Sequence, residues 1–437
     1  MRPERGSLPR FLLVWAGQLL SRLGSGITAF ALGVYLYRQT GSVAVYSFLL
    51  LVAFLPSVVL SPVGGVIADR RERLRLMILG DLGGAAGILL VMLALLFGTG
   101  SGAAVYIGVG ITSLFGALHA PAFKASVTDL LDEADYSRAS GMVQLAEASR
   151  YLLAPVIAAF LMAHMALWSI MAVDMASFLA GAVAVAVVRR RATARGRATV
   201  HRPAAPKAPA APGAANGDGK LRALLLRDLA GGFAYLRARR DLQRLLLLTT
   251  AVTFFTGLLQ SLFGPLVLSI ASAQVFGSVQ SIAATGMLAS CVVIGAGRAG
   301  RNQRRVLGVS LFVLGAAFLG IGLGPNVVLI TISAFGLFLA LPFVNTSLEV
   351  LFRTGVTDKV QGRVWSLISL VSQTGMLIAF GVAGILADRV FEPLLSDNSP
   401  GRGIAVMIAL SGLIVMMLSR VRITAVMPGS PRVEHAA

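Results

Sequence analysis

The feature that most constrains this chain is a succession of apolar runs, most of them close to 20 residues or longer and separated by short polar segments. A helix needs about 20 apolar residues to cross the hydrocarbon core of a bilayer. Lipid leaves backbone groups without water, so only helices and closed barrels can span it. The runs lack the alternation of barrel strands. Together with a charged fraction of only 13%, they predict an all-α membrane protein.

Hydropathy divides the chain into twelve predicted transmembrane helices, six before a polar stretch and six after it. We predict an N-terminal half over residues 1–188, a basic linker over 189–244, a C-terminal half over 245–422 and a tail over 423–437. The predicted spans are 11–36, 43–68, 76–97, 103–122, 138–163, 165–188, 245–268, 276–297, 306–323, 327–349, 363–387 and 403–420.

The stretch after span 6 differs in composition from the rest of the chain. Residues 189–220 are rich in Pro, Ala, Gly and basic residues, which predicts an unstructured linker. Residues 221–246 carry apolar and basic side chains at helical spacing. That pattern favours an amphipathic helix lying at the cytoplasmic membrane surface before span 7.

The net charge of +19 would suggest nucleic-acid binding in a soluble protein. Here the basic residues lie between apolar runs, where the positive-inside bias places them in the cytoplasm. With the N terminus inside, the outer loops hold only Arg38, Arg389 and Arg402 among the basic residues. We therefore predict a multi-pass protein of the inner (cytoplasmic) membrane, with both termini in the cytoplasm, lipid around it and no nucleic-acid partner.

Three charged residues are predicted near the middle of the membrane, where each charge costs about 2.5–3.5 kcal/mol. At about 1.5 Å per residue, Arg22 lies about 18 Å into span 1, and Glu147 and Arg150 lie about 14 and 18 Å into span 5. We predict a buried cluster in which Glu147 is the proton-linked carboxylate. A purely structural ion pair between the two spans is the alternative. The other predicted members are Gln18, Gln144 and Tyr151.

Other ionisable residues within spans are interpreted as structural. Asp174 in span 6 is expected to form a helix–helix hydrogen bond, and Asp81 in span 3 to join the charged loop after span 2. His119 lies near a span end, where a lone histidine is more often interfacial than a proton relay. Glu349 is expected to pair with Arg353 four residues later.

The C-terminal half has no carboxylate at mid-depth. The part of a central cavity that this half would form is predicted to be largely apolar. Such a surface suits an amphipathic or hydrophobic substrate better than a sugar. The candidate substrate-cavity residues are Gln260, Asn345, Gln373 and Phe263.

The sequence contains no Walker A motif and no spacing typical of metal ligands. We therefore predict neither ATP-driven transport by this chain nor an enzymatic activity, and we assign no cofactor or metal ion.

Six spans, a basic linker and six further spans resemble the plan of the major facilitator superfamily. The loop between spans 2 and 3 of that family reads Gly-x-x-x-Asp-Arg-x-Gly-Arg-[Arg/Lys]. This chain has Gly65, Asp69, Arg70 and Arg73 at the matching positions. It departs from the pattern at Glu72, where the family has glycine, and again two residues later.

The resemblance implies a transporter whose two halves give alternating access to a site at the bilayer midplane, with spans 1 and 5 lining the cavity. It also implies that the Asp69 loop contacts the start of span 11 as a cytoplasmic gate, with Arg363 as a candidate partner. A similar hexapeptide, Gly384 to Arg389, falls at the predicted outer end of span 11. It is therefore not interpreted as a second gate.

Three longer stretches, residues 17–42, 119–144 and 361–395, resemble the macrolide-efflux and siderophore-exporter branch of this superfamily. The resemblance implies a monomeric, secondary-active exporter of small amphipathic or hydrophobic compounds, such as antibiotics or natural products, coupled to protons. One alternative is an importer or lipid-related transporter of an anionic amphiphile. Another is a membrane sensor that transports nothing.

Residues 150–159 match the drug-antiporter signature of span 5 only in part. Pro155 and three small residues agree with it, whereas Arg150 replaces its first glycine. The arginine found in span 4 of many drug–proton antiporters is absent from this chain. The predicted coupling residues are therefore Arg22 and Arg150.

Overall fold

The computed structural model describes residues 8–97, 102–132, 135–194, 233, 235–237, 239–296, 302–357, 361–395 and 401–420. Within these ranges the chain forms helices and no β-strand. The helices are α1 (Leu8–Thr40), α2 (Val43–Arg70), α3 (Arg73–Leu96), α4 (Gly102–Leu130), α5 (Tyr136–Leu152), α6 (Ala154–His164), α7 (Leu167–Ala194), α8 (Arg240–Ile270), α9 (Ala273–Gly295), α10 (Gln303–Gly322), α11 (Val327–Gly355), α12 (Gln361–Leu386), a π-helical turn (Ala387–Phe391), α13 (Glu392–Leu395) and α14 (Arg402–Leu418).

Length and composition allow ten of the described helices to cross a membrane, or eleven if the bent pair α5–α6 counts as one span. α14 is also apolar but has only 17 residues. The predicted all-α membrane architecture is therefore confirmed, whereas the count of twelve spans stays a prediction.

Several helices extend beyond the hydropathic runs that predicted them. α7 continues to Ala194, past the predicted end of span 6 at residue 188, so the predicted linker begins as helix. Much of the predicted amphipathic helix over 221–246 lies outside the described residues. After α12, the π-helical turn leads directly into α13. The second hexapeptide, Gly384 to Arg389, is therefore helical, and the helical chain continues to Leu395.

The chain divides into two compact units. The first contains Met1–Ala210 and Ala271–Ser281, and the second contains Ala211–Ile270 and Ile282–Ala437. The first turns of α9 thus belong to the first unit. There the ring of Phe276 stacks on that of Phe30, with centroids 4.9 Å apart.

Apolar side chains from α1, α3, α4, α5 and α7 form one core of the first unit, which includes Phe11, Met77 and Phe123. At its edge, Trp15 Nε1 donates a 2.6 Å hydrogen bond to the backbone oxygen of Met142. This bond joins α1 to α5 and helps to set the register between the two helices.

The break between α5 and α6 has an identifiable cause in Pro155. Proline lacks an N–H donor, and its ring clashes with the carbonyl four residues earlier. The two helices meet at an angle of 43°. Because Arg150 lies in the last turn of α5, the bend is adjacent to one of the predicted site residues.

In the second unit, α8 packs closely on α12 at glycine positions. A Cβ on Gly257 would lie 2.9 Å from Met376 Cγ, so a larger residue would force the helices apart. Thr253 Oγ1 also donates a 2.8 Å hydrogen bond to the backbone oxygen of Ser372. Small residues and interhelical hydrogen bonds are the usual means of helix association in lipid.

Candidate functional site

The candidate site lies in the first unit, where α1 and α5 each contribute a charged residue. Arg22 Nη1 on α1 lies 3.2 Å from Glu147 Oε1 on α5. The two side chains are 19% and 33% exposed, so the ion pair is largely removed from the surface. The structure thus brings together two residues that the sequence placed at a similar depth in separate spans.

Arg150 extends this site toward the bend in span 5. Its positive charge repels the positive charge of Arg22. A Cβ on Gly26 of α1 would lie 2.9 Å from Arg150 Cγ and 2.7 Å from Ala154 Cβ. Glycine at this position therefore allows α1 to approach the α5–α6 junction closely.

Gln18 was predicted beside Arg22 and Glu147, but its amide faces α3. Its Nε2 donates a 3.0 Å hydrogen bond to Asp81 Oδ2, and its side chain is buried. Gln144 and Tyr151 lie on α5 as predicted and are exposed. Gln18 thus bonds directly to a neighbouring group on α3, and the function of the predicted cluster stays a prediction.

That neighbouring group, the Asp81 cluster, consists of Gln18, Asp81 and His119. Asp81 is 1% exposed and His119 is 6% exposed. His119 Nε2 lies 3.5 Å from Asp81 Oδ1. His119 is therefore buried between helices, where it contacts Asp81.

Close packing of α3 and α4 explains why His119 is buried. A Cβ on Gly80 would lie 2.6 Å from His119 Cβ, so the glycine lets the imidazole enter the helix interface. The glycine that precedes Asp81 in sequence was the available signal, because small residues mark such interfaces.

Asp174 is buried between α7 and α1. Its Oδ1 accepts a 3.2 Å hydrogen bond from Ser177 Oγ of the same helix. A Cβ on Gly24 of α1 would lie 2.7 Å from the same oxygen. Asp174 thus lies at a tight contact between the two helices.

Arg73 of the family-like loop binds α4. Its Nη1 lies 2.7 Å from Asp129 Oδ1 and donates a 2.9 Å hydrogen bond to the backbone oxygen of Ala125. The other predicted gate residues lie in helix but their side chains are not described, so their role stays a prediction. They are Gly65, Asp69, Arg70 and Arg363.

Glu72, which departs from the family pattern, connects two helix ends. Arg189 Nε donates to Glu72 Oε1 at 2.6 Å, which ties the end of α7 to the residue before α3. Arg75 Nε lies 2.5 Å from the other carboxylate oxygen. The carboxylate therefore compensates two arginines that would otherwise repel each other.

The predicted cavity residues of the second unit are on α8, α11 and α12. Gln260 and Asn345 are exposed and Phe263 is half-buried. Gln373 is half-buried and donates a 2.7 Å hydrogen bond to Ser369 Oγ. On α11, the predicted pair of Glu349 and Arg353 is confirmed at 3.0 Å.

Comparison with known proteins places this arrangement in a family. The family model described as Major Facilitator Superfamily matches residues 14–380. Macrolide efflux protein A of Streptococcus pyogenes is 29% identical over 394 residues, which cover 87% of this chain and 90% of that protein. The protein of the same name from Enterococcus faecalis is 29% identical over 350 residues, covering 77% and 99%.

The fold is also similar to that of solved transporters. The crystal structure of the nucleoside transporter NupG superimposes with a TM-score of 0.70 at 13% identity, covering 95% of this chain and 100% of that chain. At that identity the likeness concerns the fold alone. The family match extends over most of the chain, and the chain therefore belongs to the major facilitator superfamily of membrane transporters.

Proposed function

We propose that this protein is a secondary-active exporter of small amphipathic compounds of the macrolide class, driven by proton antiport. The observation that carries the proposal is the similarity to macrolide efflux protein A along nearly the whole of both chains. Its two halves would expose a central site alternately to the cytoplasm and to the outside, with both termini cytoplasmic and a monomer as the working unit.

The ion pair of Arg22 and Glu147 supports a coupling role for the proton. A carboxylate inside a membrane protein is expensive unless it is paired or protonated. Protonation of Glu147 removes its charge and releases Arg22, whereas deprotonation restores the pair. If a cationic amphiphile and a proton compete for the same carboxylate, export of one is linked to entry of the other.

A second candidate function follows from the positive charge near this carboxylate. Arg22 and Arg150 interact with each other, and Glu147 supplies one negative charge near them. Two arginines on neighbouring helices would also suit an anionic amphiphile, such as a lipid, carried in either direction. Net uptake of an anionic amphiphile would favour this alternative.

The test compares accumulation of the macrolide erythromycin in an efflux-deficient bacterial host. Cells expressing the wild-type protein should accumulate several-fold less than cells with empty vector, and collapse of the proton gradient should remove the difference. Glu147→Gln should accumulate as much as empty vector at equal membrane expression.

Glu349→Gln is the matched control, because Glu349 forms an exposed ion pair with Arg353 on α11. It should export erythromycin like the wild type. Wild-type cells that accumulate as much as empty vector would refute macrolide export, and full activity of Glu147→Gln would refute the coupling role.

A further inference from the structure

The proposed exchange at Glu147 leaves the buried Asp81 cluster without a role. Its carboxylate is 1% exposed and receives its amide hydrogen bond from Gln18 at 3.0 Å. A buried charge is costly unless it is paired and hydrogen-bonded. One amide donor is little compensation for a full negative charge, so the cluster calls for a further explanation.

The second oxygen of Asp81 faces the imidazole of His119. His119 Nε2 lies 3.5 Å from Asp81 Oδ1, and among the described residues this nitrogen has no hydrogen-bond partner. In the neutral ring, one imidazole nitrogen is an acceptor with a lone pair. A proton between Oδ1 and Nε2 would give this unsatisfied nitrogen a hydrogen-bond partner. The geometry therefore matches one proton held between the Asp81 carboxyl group and the His119 imidazole.

The helices packed around Asp81 leave few other groups to carry that proton. From α4 the facing titratable group is His119, and from α1 the facing polar groups are Gln18 and Arg22. From α7 the facing residue is Gly181, where a Cβ would lie 3.1 Å from Asp81 Oδ2. Glycine at this position lets the carboxylate lie against the backbone of α7.

Arg22 connects this cluster to the ion pair with Glu147. It forms the 3.2 Å contact with Glu147 and also interacts electrostatically with Asp81. Gln18, which holds Asp81, and Arg22 are four residues apart and so lie on one face of α1. Arg22 thus pairs directly with Glu147 and interacts with Asp81 only electrostatically.

We propose that Asp81 is a second proton-binding carboxylate of this transporter, which holds its proton against His119 and competes with Glu147 for Arg22. The inference rests on the proposed proton-coupled transport. While Asp81 carries the proton it is neutral, and Arg22 pairs with Glu147. When the O–H bond of Asp81 breaks and the proton leaves to water, the new negative charge attracts Arg22. Glu147 is then released to bind a proton or a cationic substrate.

The test needs no substrate. Infrared spectra of the purified protein in phospholipid vesicles, recorded across a pH titration, report protonated carboxyl groups through their C=O stretching band. Asp81→Asn should remove a pH-dependent band equivalent to one carboxyl group per chain. Asp174→Asn, at a buried carboxylate that accepts from Ser177, is the matched control and should leave that band in place.

Two further variants keep Asp81 itself intact. His119→Gln should shift the frequency of the Asp81 band, because the carboxyl group loses its imidazole acceptor. Glu147→Gln should reduce the amplitude of the band at a given pH, because Arg22 is then available to stabilise ionised Asp81. A wild-type titration retained in Asp81→Asn, or an Asp81 band unaffected by both other variants, would overturn the proposal.

These outcomes are independent of the erythromycin assay. If the Asp81 band is present but the protein does not lower erythromycin accumulation, the proton site is supported and macrolide export is refuted. If the protein exports erythromycin but Asp81→Asn leaves the spectra unchanged, the proton site is refuted and the proposed function is supported.

Discussion

Arg22 Nη1 and Glu147 Oε1 lie 3.2 Å apart across the interface of α1 and α5. A 2.6 Å hydrogen bond from Trp15 to the backbone of Met142 joins the same two helices farther along. This bond helps to fix the register of α1 on α5 and thus the distance between the two charged groups. The pair is mostly, but not fully, buried, so water screens it only weakly.

Removal of one partner of this pair should destabilise the protein more than removal of both. Arg22→Gln leaves Glu147 as an uncompensated charge, and loss of one partner of a fully buried pair costs about 3–5 kcal/mol. The partial exposure of Glu147 should reduce that cost. We expect a lower Tm for Arg22→Gln than for Arg22→Gln/Glu147→Gln, measured by thermal unfolding in detergent. A double variant less stable than the single one would contradict the pairing.

Gly24→Ala should destabilise the contact between α1 and α7. The added Cβ would clash with Ser177 Oγ and would lie 2.7 Å from Asp174 Oδ1. Overpacking of this kind costs about 1–3 kcal/mol. Gly116→Ala on α4 is the control, since a Cβ there meets no atom within 4 Å. We expect a lower Tm for the first variant and an unchanged or higher Tm for the second, and equal values would argue against tight packing at Gly24.

Pro155→Ala should straighten the junction of α5 and α6. The alanine restores an N–H donor and removes the ring clash that bends the span by 43°. Because Arg150 and Gly26 meet at this bend, we expect the variant to fold and to lose most erythromycin export in the accumulation assay. Pro121→Ala is the control, because Pro121 lies within the continuous helix α4. Equal export by both variants would show that the bend has no part in transport.

Glu72→Gln should loosen the end of α7 without unfolding the protein. The carboxylate binds Arg189 at 2.6 Å and Arg75 at 2.5 Å, and all three side chains are partly exposed. Partly exposed pairs contribute about 0–1 kcal/mol each, so Tm should hardly change. We expect faster tryptic cleavage after Arg189, and gel electrophoresis of timed samples measures its rate. Trypsin should cleave Glu349→Gln at this site at the wild-type rate. Equal rates for the two variants would exclude the anchoring role of Glu72.

Hydropathy and helix periodicity predicted much of the site along each separate helix. The rise of a helix converts residue number into depth, which is why Arg22 and Glu147 could be placed at a similar level from sequence. The same periodicity places Glu349 and Arg353 on one face, and the structure confirms that pair. Contacts within a helix are determined by sequence spacing alone.

Contacts between helices depended on how the helices are rotated and packed. Gln18 lies one turn before Arg22, yet its amide binds Asp81 on α3, whereas Arg22 pairs with α5. His119 near the end of an apolar run is buried because Gly80 admits it between α3 and α4. No pattern along α1 specifies which of its neighbours lies at which angle around its axis.

The sequence by itself determined the membrane class, the approximate limits of the spans and the depth of the charged residues, because lipid requires long apolar helices and a helix has a constant rise. Only the tertiary structure decided that Arg22 pairs with Glu147 on α5 while Gln18, one turn away, bonds Asp81 on α3. The physical reason is that small residues such as Gly26 and Gly181 set how closely helices approach, and that approach selects the partners of each polar side chain.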